Sequence, residues 1–249
     1  MENKIFFSIL IPAHNEEGNI RQTCEAITSK FRERNVTDFE IVVVNDNSND
    51  TTEDILKELS SRDGHIRYVN NMPPNGFGFA VKKGLEQFKG EVVCIVMADL
   101  SDSPDDIYTY YNELKDGAEC VFGSRFIKGS KVIDYPTHKL ILNRMANWFI
   151  RILFGISLND TTNAFKGYRR YVIDGVKPIL SHHFNLTVEL PLKAIVRGYK
   201  YNVVPISWTN RVEGVSKLKI KEMGSRYLFI VLYVFVEKLL SKKDYYRTN

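Results

Sequence analysis

An acidic cluster follows a continuous apolar run near the middle of the chain. The run covers residues 92–97, and the carboxylates Asp99 and Asp102 come directly after it. Parallel strands deliver such residues to the carboxyl edge of a sheet, where α/β proteins bind their ligands. A carboxylate at this edge can hold a hard divalent cation against a diphosphate. The same residues also fit a plain helix start, with Asp102 or Ser103 as N-cap and Pro104 in the first turn.

Three further polar clusters lie at predicted strand ends or helix starts. They are residues 12–16 (PAHNE), 45–51 (NDNSNDT) and 75–80 (NGFGFA). Since the carboxyl ends of parallel strands meet at one edge, we expect these clusters and Asp99 to form one polar crevice. Its acidic groups suit a base or ribose, and its backbone N–H groups suit phosphate. Each cluster alone could be an Asx turn, a helix cap or a tight turn, and their coincidence at one edge favours a ligand site.

Strands and helices alternate through the first half of the sequence. Short apolar runs predict strands at 6–11, 40–44, 66–69, 92–97 and 120–122. The segments between them predict helices at 17–34, 52–60, 76–88 and 105–115. This alternation predicts parallel βαβ units and a doubly wound, mostly parallel α/β sheet.

The pattern changes after residue 129. Further helices are predicted at 139–154, 184–197 and 221–240. A strand at 201–206 precedes a polar, basic segment at 209–219, which we interpret as a mobile loop. The simplest organisation is one domain at 1–220, followed by a C-terminal apolar and basic helix at 221–249.

The composition of the C-terminal helix predicts that it associates with a membrane or with another protein. Its second half is nearly all apolar, and Lys242 and Lys243 follow it. Such an amphipathic helix suits an anionic membrane surface, and it could also bind a membrane protein or a second copy of the chain. An ordinary core helix is the alternative. No apolar run reaches the roughly 18–20 residues that a membrane span requires.

Bulk properties narrow the class of protein and its location. The chain has 249 residues with a net charge of +4, which does not predict nucleic-acid binding. Cys24, Cys94 and Cys120 show no metal-binding spacing and fit a reducing compartment. No signal peptide is recognisable at the N-terminus. We therefore expect a cytoplasmic protein, peripheral on the cytoplasmic face of the membrane.

Taken in order, the motifs resemble those of one enzyme family. They are PAHNEE, VNDNSNDTT, NGFGFAVKKG, VMADLSDSP, VFGSRF, NDTTNAFKGYRR and NRVEGVSKLK. This series resembles the family 2 glycosyltransferases of GT-A type, and most of all their polyprenyl-phosphate glycosyltransferases, typified by dolichol-phosphate mannose synthase. The resemblance covers roughly residues 5–220 and implies a GT-A sheet with a Rossmann-like nucleotide-binding half.

The resemblance also implies roles for individual residues. The nucleotide-binding positions are Pro12, His14, Glu16, Asp46, which would recognise the base, and Gly76. The catalytic positions are Asp99, from the metal-binding Asp-x-Asp motif, Asp102, and Arg125, which lies near the transferred phosphates. The acceptor-binding positions are Lys139, Asn143 and, on a flexible loop, Arg211, Ser216 and Lys217. The positions that would contact the sugar are Asp160 and Thr162.

One departure from the family pattern concerns the metal. Met97 stands where the motif has its first aspartate, and Ser101 replaces the usual glutamine. A thioether is a poor ligand for Mg²⁺ or Mn²⁺, which prefer oxygen. Asp102 could supply the missing carboxylate, or Asp99, the diphosphate and water could suffice, or catalysis could be lost. The intact remaining motifs favour the first two accounts, so we expect Mg²⁺ or Mn²⁺ at Asp99 and Asp102.

The resemblance predicts an inverting transfer of a hexose from a nucleoside-diphosphate sugar, of GDP-mannose or UDP-glucose type, to a polyprenyl phosphate. A lipid phosphate is already anionic and needs no general base, only cations that hold it in line. The alternative acceptor is a glycan hydroxyl in cell-surface polysaccharide synthesis. It would need a base, for which Asp102 and Glu189 are weak candidates. A third hypothesis, motivated by Met97, is a protein that binds nucleotide sugars without turnover.

Overall fold

A sheet with helices on both faces forms the body of the protein. The computed structural model describes residues 4–209, 220–241 and 243–247. The strands are β1 Phe7–Ala13, β2 Phe39–Asn45, β3 Ile66–Asn70, β4 Val92–Ile95, β5 Cys120–Ser124, β6 Lys131–Ile133, β7 Lys166–Arg169, β8 Tyr201–Pro205 and β9 Ser207–Thr209. The helices are α1 Ile20–Glu33, α2 Thr52–Arg62, α3 Phe77–Gln87, α4 Pro104–Lys115, α5 Thr137–Phe154, α6 Arg170–Gly175, α7 Leu186–Val196 and α8 Ile220–Leu240.

The main sheet has the strand order β3-β2-β1-β4-β7-β5-β8. Its neighbours pair in parallel, except that β7 runs antiparallel to both β4 and β5. Strands β6 and β9 form a separate parallel pair beside it. The predicted mostly parallel α/β sheet is therefore confirmed, together with its C-terminal helix.

Strand β7, like the short strands β6 and β9, is not predicted by the sequence pattern. It is short, and its sequence KGYR begins and ends with charged residues, so it lacks an apolar run. Lys166 nevertheless lies opposite both Ile95 and Phe122 in the register of the sheet. Pairing on both sides places this strand in the middle of the sheet, and the segment just before it is thereby held at the carboxyl edge of β4 and β5.

Apolar side chains cover both faces of the sheet. On β1, Phe7, Ile9 and Ile11 join a cluster with side chains of α1, α2 and α4, whereas Leu10 joins the opposite cluster with α3, α6 and α7. All four side chains are fully buried. Since successive residues of a strand point to opposite faces, a strand covered on both sides reads as a continuous apolar run.

A third apolar cluster joins α5, α7 and α8. Ile150 and Phe154 of α5 pack with Ile230 and Val234 of α8 and with Leu192 of α7. These contacts involve only the C-terminal part of α5 and one face of α8. Helix α8 is therefore packed on the domain through its inner face, while its outer face carries exposed apolar side chains.

The end of α8 is tied to α7 by a buried ion pair. Nε and Nη2 of Arg197 donate to the Glu237 carboxylate at 2.8 and 3.0 Å. Beyond α8, the ring of Tyr246 covers Gly198, and Arg247 pairs with Glu119. The described part of the C-terminal segment is thus packed on the domain. No helix in the described ranges combines the length and apolar character needed to cross a bilayer.

Candidate active site

One cavity at the carboxyl edge of the sheet, with a volume of about 940 Å³, collects most of the predicted site residues. The predicted residues that line it are Pro12, His14, Glu16, Asp46, Gly76, Asp99, Asp102, Arg125, Lys139, Asn143 and Thr162. The predicted acceptor-loop residues Arg211, Ser216 and Lys217 lie outside the described residues. Asp160 is described and is fully buried behind the cavity wall.

The polar end of the cavity, formed by residues 12–16, Asp46, Asn75 and Gly76, is built around Asp46. The carboxylate of Asp46 is nearly buried and accepts from Asn71 Nδ2 at 2.7 Å and from the Gly76 N–H at 2.8 Å. The backbone carbonyl oxygen of Asp46 accepts from Nδ1 of His14 at 2.8 Å. The bonds from Asn71 and Gly76 fix the direction of the Asp46 carboxylate at the cavity wall.

The loop after β1 is bonded reciprocally to the loop after β2. The Asn15 N–H donates to Ser48 Oγ at 3.0 Å, and the Asn49 N–H donates to Asn15 Oδ1 at 2.8 Å. The Glu16 N–H also donates to Thr52 Oγ1 at 2.9 Å. Asn15 has φ 52°, a left-handed conformation that asparagine tolerates better than most residues. The polar residues in both loops therefore hold the rim together.

The glycines at the start of α3 serve a close approach of two chain segments. A Cβ on Gly76 or Gly78 would collide with the backbone of His182 and His183. The Gly78 N–H donates to the His182 carbonyl at 3.0 Å, and the Gly76 N–H is engaged by Asp46. Intramolecular acceptors therefore occupy both of these N–H groups. Gly76 itself still lines the cavity.

Asp99 and Asp102 both reach the cavity from the loop after β4, and α4 begins independently of them. Ser103 is the N-cap of α4, because its Oγ accepts from the Asp105 N–H, and Pro104 follows in the first turn. Asp102 is therefore not needed as a cap. It is nearly buried, and its Oδ2 accepts from the Met97 N–H at 3.0 Å. Burial raises the pKa of Asp102 to about 7, and the neighbouring Asp99 adds to this effect.

The donor set at this point suits a cation that shares its coordination with a bound ligand. Among the described residues, no group of three or more His, Cys, Asp or Glu side chains is arranged to hold a metal ion. The cavity wall offers the carboxylates of Asp99 and Asp102, and Met97 contributes only a thioether beside them. Mg²⁺ usually keeps several waters and is bound by one or two carboxylates plus substrate phosphates. Two carboxylates facing a space for a diphosphate fit this pattern.

Arg125 is held in the cavity wall by Asp160. Nε and Nη2 donate to the two carboxylate oxygens at 2.8 Å each, and the Arg125 N–H donates to the same carboxylate at 3.0 Å. Burial alone would lower the pKa of Arg125, but the Asp160 carboxylate raises it. The guanidinium therefore stays cationic at the cavity. Asp160 itself is fully buried and does not line the cavity, so its predicted contact with the sugar stays a prediction.

The segment 160–164 places Thr162 at the cavity wall, and the buried Lys166 side chain donates hydrogen bonds to its backbone. The Lys166 Nζ donates to the carbonyl oxygen of Thr161 at 3.0 Å and also to that of Asn163. Burial lowers the pKa of Lys166 to about 7, although Asp160 opposes the shift. The segment is neither a surface loop nor a simple capped turn between helices, because it leads directly into strand β7.

The other end of the cavity is an apolar groove between α5 and α8. Its apolar lining comes from Leu142, Ala146, Phe149 and Ile150 of α5 and from Tyr227, Leu228 and Val231 of α8. Lys139 and Asn143, nearer the start of α5, line the same cavity, and Asn143 donates to Thr162 Oγ1. One cavity therefore combines a polar, acidic part with an apolar groove.

Several side chains at the site were not identifiable from the sequence. Tyr135 and Trp208 line the cavity and pack against each other with ring centroids 4.9 Å apart. The Arg125 guanidinium lies 5.4 Å from the Tyr135 ring centroid and 5.8 Å from that of Trp208. The pair of strands β6 and β9 brings these distant residues together, and no spacing in the sequence signals this pairing. Asn147 and His183 belong to the same group, since neither lies in a recognisable motif.

Comparison with known protein families defines the class of the protein. Residues 8–176, more than half of the chain, match the model of the family described as glycosyl transferase family 2. The chain therefore belongs to family 2 of the glycosyltransferases, as its motifs indicate.

Two curated relatives are more specific. The chain is 30% identical over 216 residues to the dolichol-phosphate mannosyltransferase of Pyrococcus furiosus, covering 85% of this chain and 59% of that protein. It is 28% identical over 223 residues to the polyprenol monophosphomannose synthase of Mycolicibacterium smegmatis, covering 84% of this chain and 80% of that protein. The chain therefore spans less than two thirds of the length of the Pyrococcus protein.

Solved structures share the fold. The glucosyl-3-phosphoglycerate synthase of Mycobacterium tuberculosis, crystallised with Mn²⁺, UDP and phosphoglyceric acid, has a TM-score of 0.67 at 16% identity, covering 94% of this chain and 78% of that one. A complex of the same enzyme with Mn²⁺, UDP-glucose and phosphoglyceric acid has the same TM-score and covers 79% of that chain. At this level of identity, the similarity establishes the GT-A fold alone.

Proposed function

We propose that the protein transfers a hexose from a nucleoside-diphosphate sugar to a polyprenyl phosphate. The observation that carries this proposal is the single cavity that joins the polar end at Asp46 to the apolar groove between α5 and α8. A nucleotide sugar suits the polar end, and an isoprenoid chain suits the groove. The two substrates would meet at Asp99, Arg125 and Lys139, which line the same cavity.

The names of the two curated relatives support this acceptor and favour a mannosyl donor. Both are named for the transfer of mannose to a dolichol or polyprenol phosphate. The solved enzyme with the same fold binds UDP and UDP-glucose. We therefore place GDP-mannose first among the donors and UDP-glucose second.

The chemistry assigned to the residues follows from their positions. Asp46, oriented by Asn71 and Gly76, presents carboxylate oxygens to the base. Arg125 and Lys139 supply cationic donors for the phosphates of the donor and the acceptor, a task for which guanidinium forks are well suited. The acceptor phosphate attacks the anomeric carbon from the side opposite the leaving nucleoside diphosphate. The anomeric centre is inverted, and no general base is required because the acceptor is already an anion.

A divalent cation fits the pair Asp99 and Asp102. When bound, Mg²⁺ or Mn²⁺ would neutralise the negative charge that develops on the departing diphosphate. Asp99 would hold it at the half-buried rim of the cavity. The nearly buried Asp102 would give up its proton on binding, since burial raises its pKa in the absence of a cation.

Membrane association is proposed for the outer faces of α5 and α8. Exposed apolar side chains on α5 are Ile141, Leu142, Met145, Trp148, Phe149 and Ile152. Those on α8 are Leu228, Phe229, Leu232, Val236, Leu239 and Leu240. Such a continuous apolar surface suits insertion into the interfacial layer of a bilayer, at the cytoplasmic face. A membrane-protein partner or a second copy of the chain would occupy the same surface.

A glycan hydroxyl remains the second candidate acceptor, and one observation favours it. An aspartate with a pKa near 7 at the cavity wall is matched to the task of a general base, and burial raises the pKa of Asp102 to about 7. Glu189 does not compete for this role. It is fully buried and accepts from Lys193 and from the N–H groups of Leu180 and Ser181.

The test is transfer from radiolabelled GDP- and UDP-sugars into organic-extractable polyprenyl phosphate, with Mg²⁺, with Mn²⁺ and with EDTA. We expect label in the organic phase from one donor and its loss with EDTA. Label that appears only on a soluble glycan acceptor would favour the hydroxyl alternative. Measurable binding of nucleotide sugar with no product from any acceptor would indicate a binding protein instead.

A further inference from the structure

The N-terminal part of α5 is attached to the segment 160–164 by asparagines. Along residues 137–149, which the structure describes completely, Asn147 is the one buried side chain. Its neighbours Met145 and Trp148 are 63% and 65% exposed. Since most helical stability in proteins comes from packing of an apolar face, a helix held in this way depends on what covers its other side.

The side-chain amide of Asn147 both accepts a hydrogen bond from the segment 160–164 and donates one to it. Its Oδ1 accepts from the Thr161 N–H at 2.6 Å, and its Nδ2 lies 3.2 Å from Thr162 Oγ1. The Nδ2 also donates to the side-chain oxygen of Asn143, one turn earlier, at 2.7 Å. Asn143 in turn donates to Thr162 Oγ1 at 2.9 Å. The two asparagines, four residues apart, thus form a polar seam between α5 and the segment 160–164.

The other attachments of this segment lead into the interior of the domain. Asp160 is bound by Arg125 of the wall, and Lys166 of the central sheet holds the carbonyl of Thr161. Neither contact reaches the apolar groove. Among the described contacts of residues 160–164, the Asn143–Asn147 seam is therefore the connection to the helix that forms the groove.

We propose that Asn147 is a positioning residue that couples binding of the lipid phosphate along α5 to binding of the donor sugar at Thr162. This inference rests on the proposed function. An isoprenoid chain in the groove covers Leu142 and Phe149 and so stabilises α5 in its place. Through the hydrogen bonds of Asn147, the same event holds Thr161 and Thr162 in the geometry that contacts the sugar.

The coupling has a thermodynamic signature. If the lipid phosphate raises the affinity for the donor by some factor, the donor must raise the affinity for the lipid phosphate by the same factor. We expect a factor of about ten, within the usual range for coupled sites. A nucleoside diphosphate that lacks the sugar does not contact Thr162, so its affinity should not respond to the lipid.

The experiment measures donor affinity by isothermal titration calorimetry on the full chain in the presence of Mg²⁺. The ligand is the slowly reacting 2-fluoro analogue of the active nucleotide sugar, titrated with and without farnesyl phosphate. In the wild type, farnesyl phosphate should tighten binding of the analogue about tenfold. In Asn147→Ala, the affinity for the analogue should be the same with and without farnesyl phosphate, and the affinity for the nucleoside diphosphate should be unchanged.

Two further variants separate positioning from folding. Asn202→Ala removes an asparagine whose contact is to Glu113 on the far side of the sheet, and it should keep the full coupling. Thr162→Val removes the hydroxyl that accepts from both asparagines but leaves the bond from the Thr161 N–H to Asn147, so it should weaken the coupling even if Asn147→Ala does not fold.

The outcomes distinguish this inference from the proposed function. Coupling that persists in folded Asn147→Ala, or that is undiminished in Thr162→Val, overturns the role of Asn147. A wild type that transfers label to polyprenyl phosphate without any coupling overturns the inference and leaves the function standing. A wild type that neither transfers to nor binds an isoprenyl phosphate overturns the proposed function, and the inference with it.

Discussion

The polar end of the cavity is supported by buried strands, whereas the apolar groove is supported by helices with exposed apolar side chains. Behind the polar end, Ile9 and Ile11 of β1 are fully buried, and the loops above them are bonded to one another. Beside the groove, Ile141 and Ile152 of α5 are 54% and 62% exposed. The polar end is completely supported by contacts within the domain. The groove leaves apolar side chains exposed, so they are available to a ligand, a membrane or another protein.

The strands behind the polar end therefore contribute mainly to folding stability, whereas the exposed surface of the groove helices is available for binding. A parallel sheet covered on both faces gains its stability from burial within the domain, so its rim can carry polar residues in defined positions. The helices of the groove leave part of their apolar surface exposed, and covering it would release further free energy. Substitutions in the two regions should therefore affect different properties, namely activity, folding stability or binding to lipid. Four predictions test this.

The largest effect is expected from Asp99→Ala at the rim. Asp99 is half-buried and accepts from the Ser101 N–H at 3.2 Å, so its loss removes a proposed cation ligand and no core volume. We expect transfer to fall by roughly 10³-fold, as for removal of a group that stabilises developing charge. The thermal unfolding midpoint should change little.

The matched control for Asp99→Ala is Asp105→Ala, which removes an exposed carboxylate from the first turn of α4. It should keep nearly full activity. Wild-type turnover in Asp99→Ala would show that this carboxylate does not take part in the reaction.

The next effect is expected from Glu237→Ala in α8, away from the cavity. This change leaves Arg197 as a nearly buried, unpaired cation, because the two side chains form a bidentate pair. Breaking such a pair typically lowers the free energy of unfolding by about 3 kcal/mol or more. Urea unfolding of this variant and of the exposed control Glu86→Ala measures the loss. Equal stability of the two variants would mean that α8 is not an integral part of the fold.

The third effect concerns the exposed face of α5. The double substitution Trp148→Ser and Ile152→Ser removes two side chains that are 65% and 62% exposed, so folding stability should hardly change. Binding to anionic lipid vesicles should weaken roughly a hundredfold or more, because burial of each of the two large apolar side chains contributes about 1.5–3 kcal/mol. Vesicle co-sedimentation measures this.

Met72→Ser supplies the control for that experiment, since Met72 is 73% exposed and lies on neither α5 nor α8. It should bind vesicles like the wild type. Unchanged vesicle binding of the double variant, together with loss of a wild-type dimer in size-exclusion chromatography, would assign the α5 face to a contact between copies.

The smallest effect is a pH dependence from Lys166. Burial lowers its pKa from 10.5 in the unfolded chain to about 7 in the native protein. Between these values the unfolded state binds the extra proton, so stability rises with pH, by up to about 1.4 kcal/mol per unit. Below pH 7 the lysine is charged in both states and contributes no slope. The difference in unfolding free energy between wild type and Lys166→Met, measured from pH 7.5 to 9.5, should show this rise, and parallel curves would contradict it.

The polar end was more predictable than the groove for a physical reason. Strands with continuous apolar runs and the polar residues that follow them lie next to each other in the chain, so sequence patterns locate both. The prediction that Asp46 and Asp99 lie at one cavity follows from this, whereas Arg125 was assigned to the site by the family resemblance. The burial of Asp160 could not be predicted in this way, because it depends on a bond to Arg125, which lies 35 residues away in the chain.

By itself, the sequence determined the mostly parallel α/β sheet, the positions of its first strands and helices, and the family to which the chain belongs. These features depend on local periodicity and on motifs of a few adjacent residues. Only the tertiary structure decided that β7 enters the middle of the sheet antiparallel, that Tyr135 and Trp208 meet over Arg125, and that Asn147 joins α5 to Thr162. Each of these is a pairing between distant segments, and its free energy comes from contacts that exist only once the chain has folded.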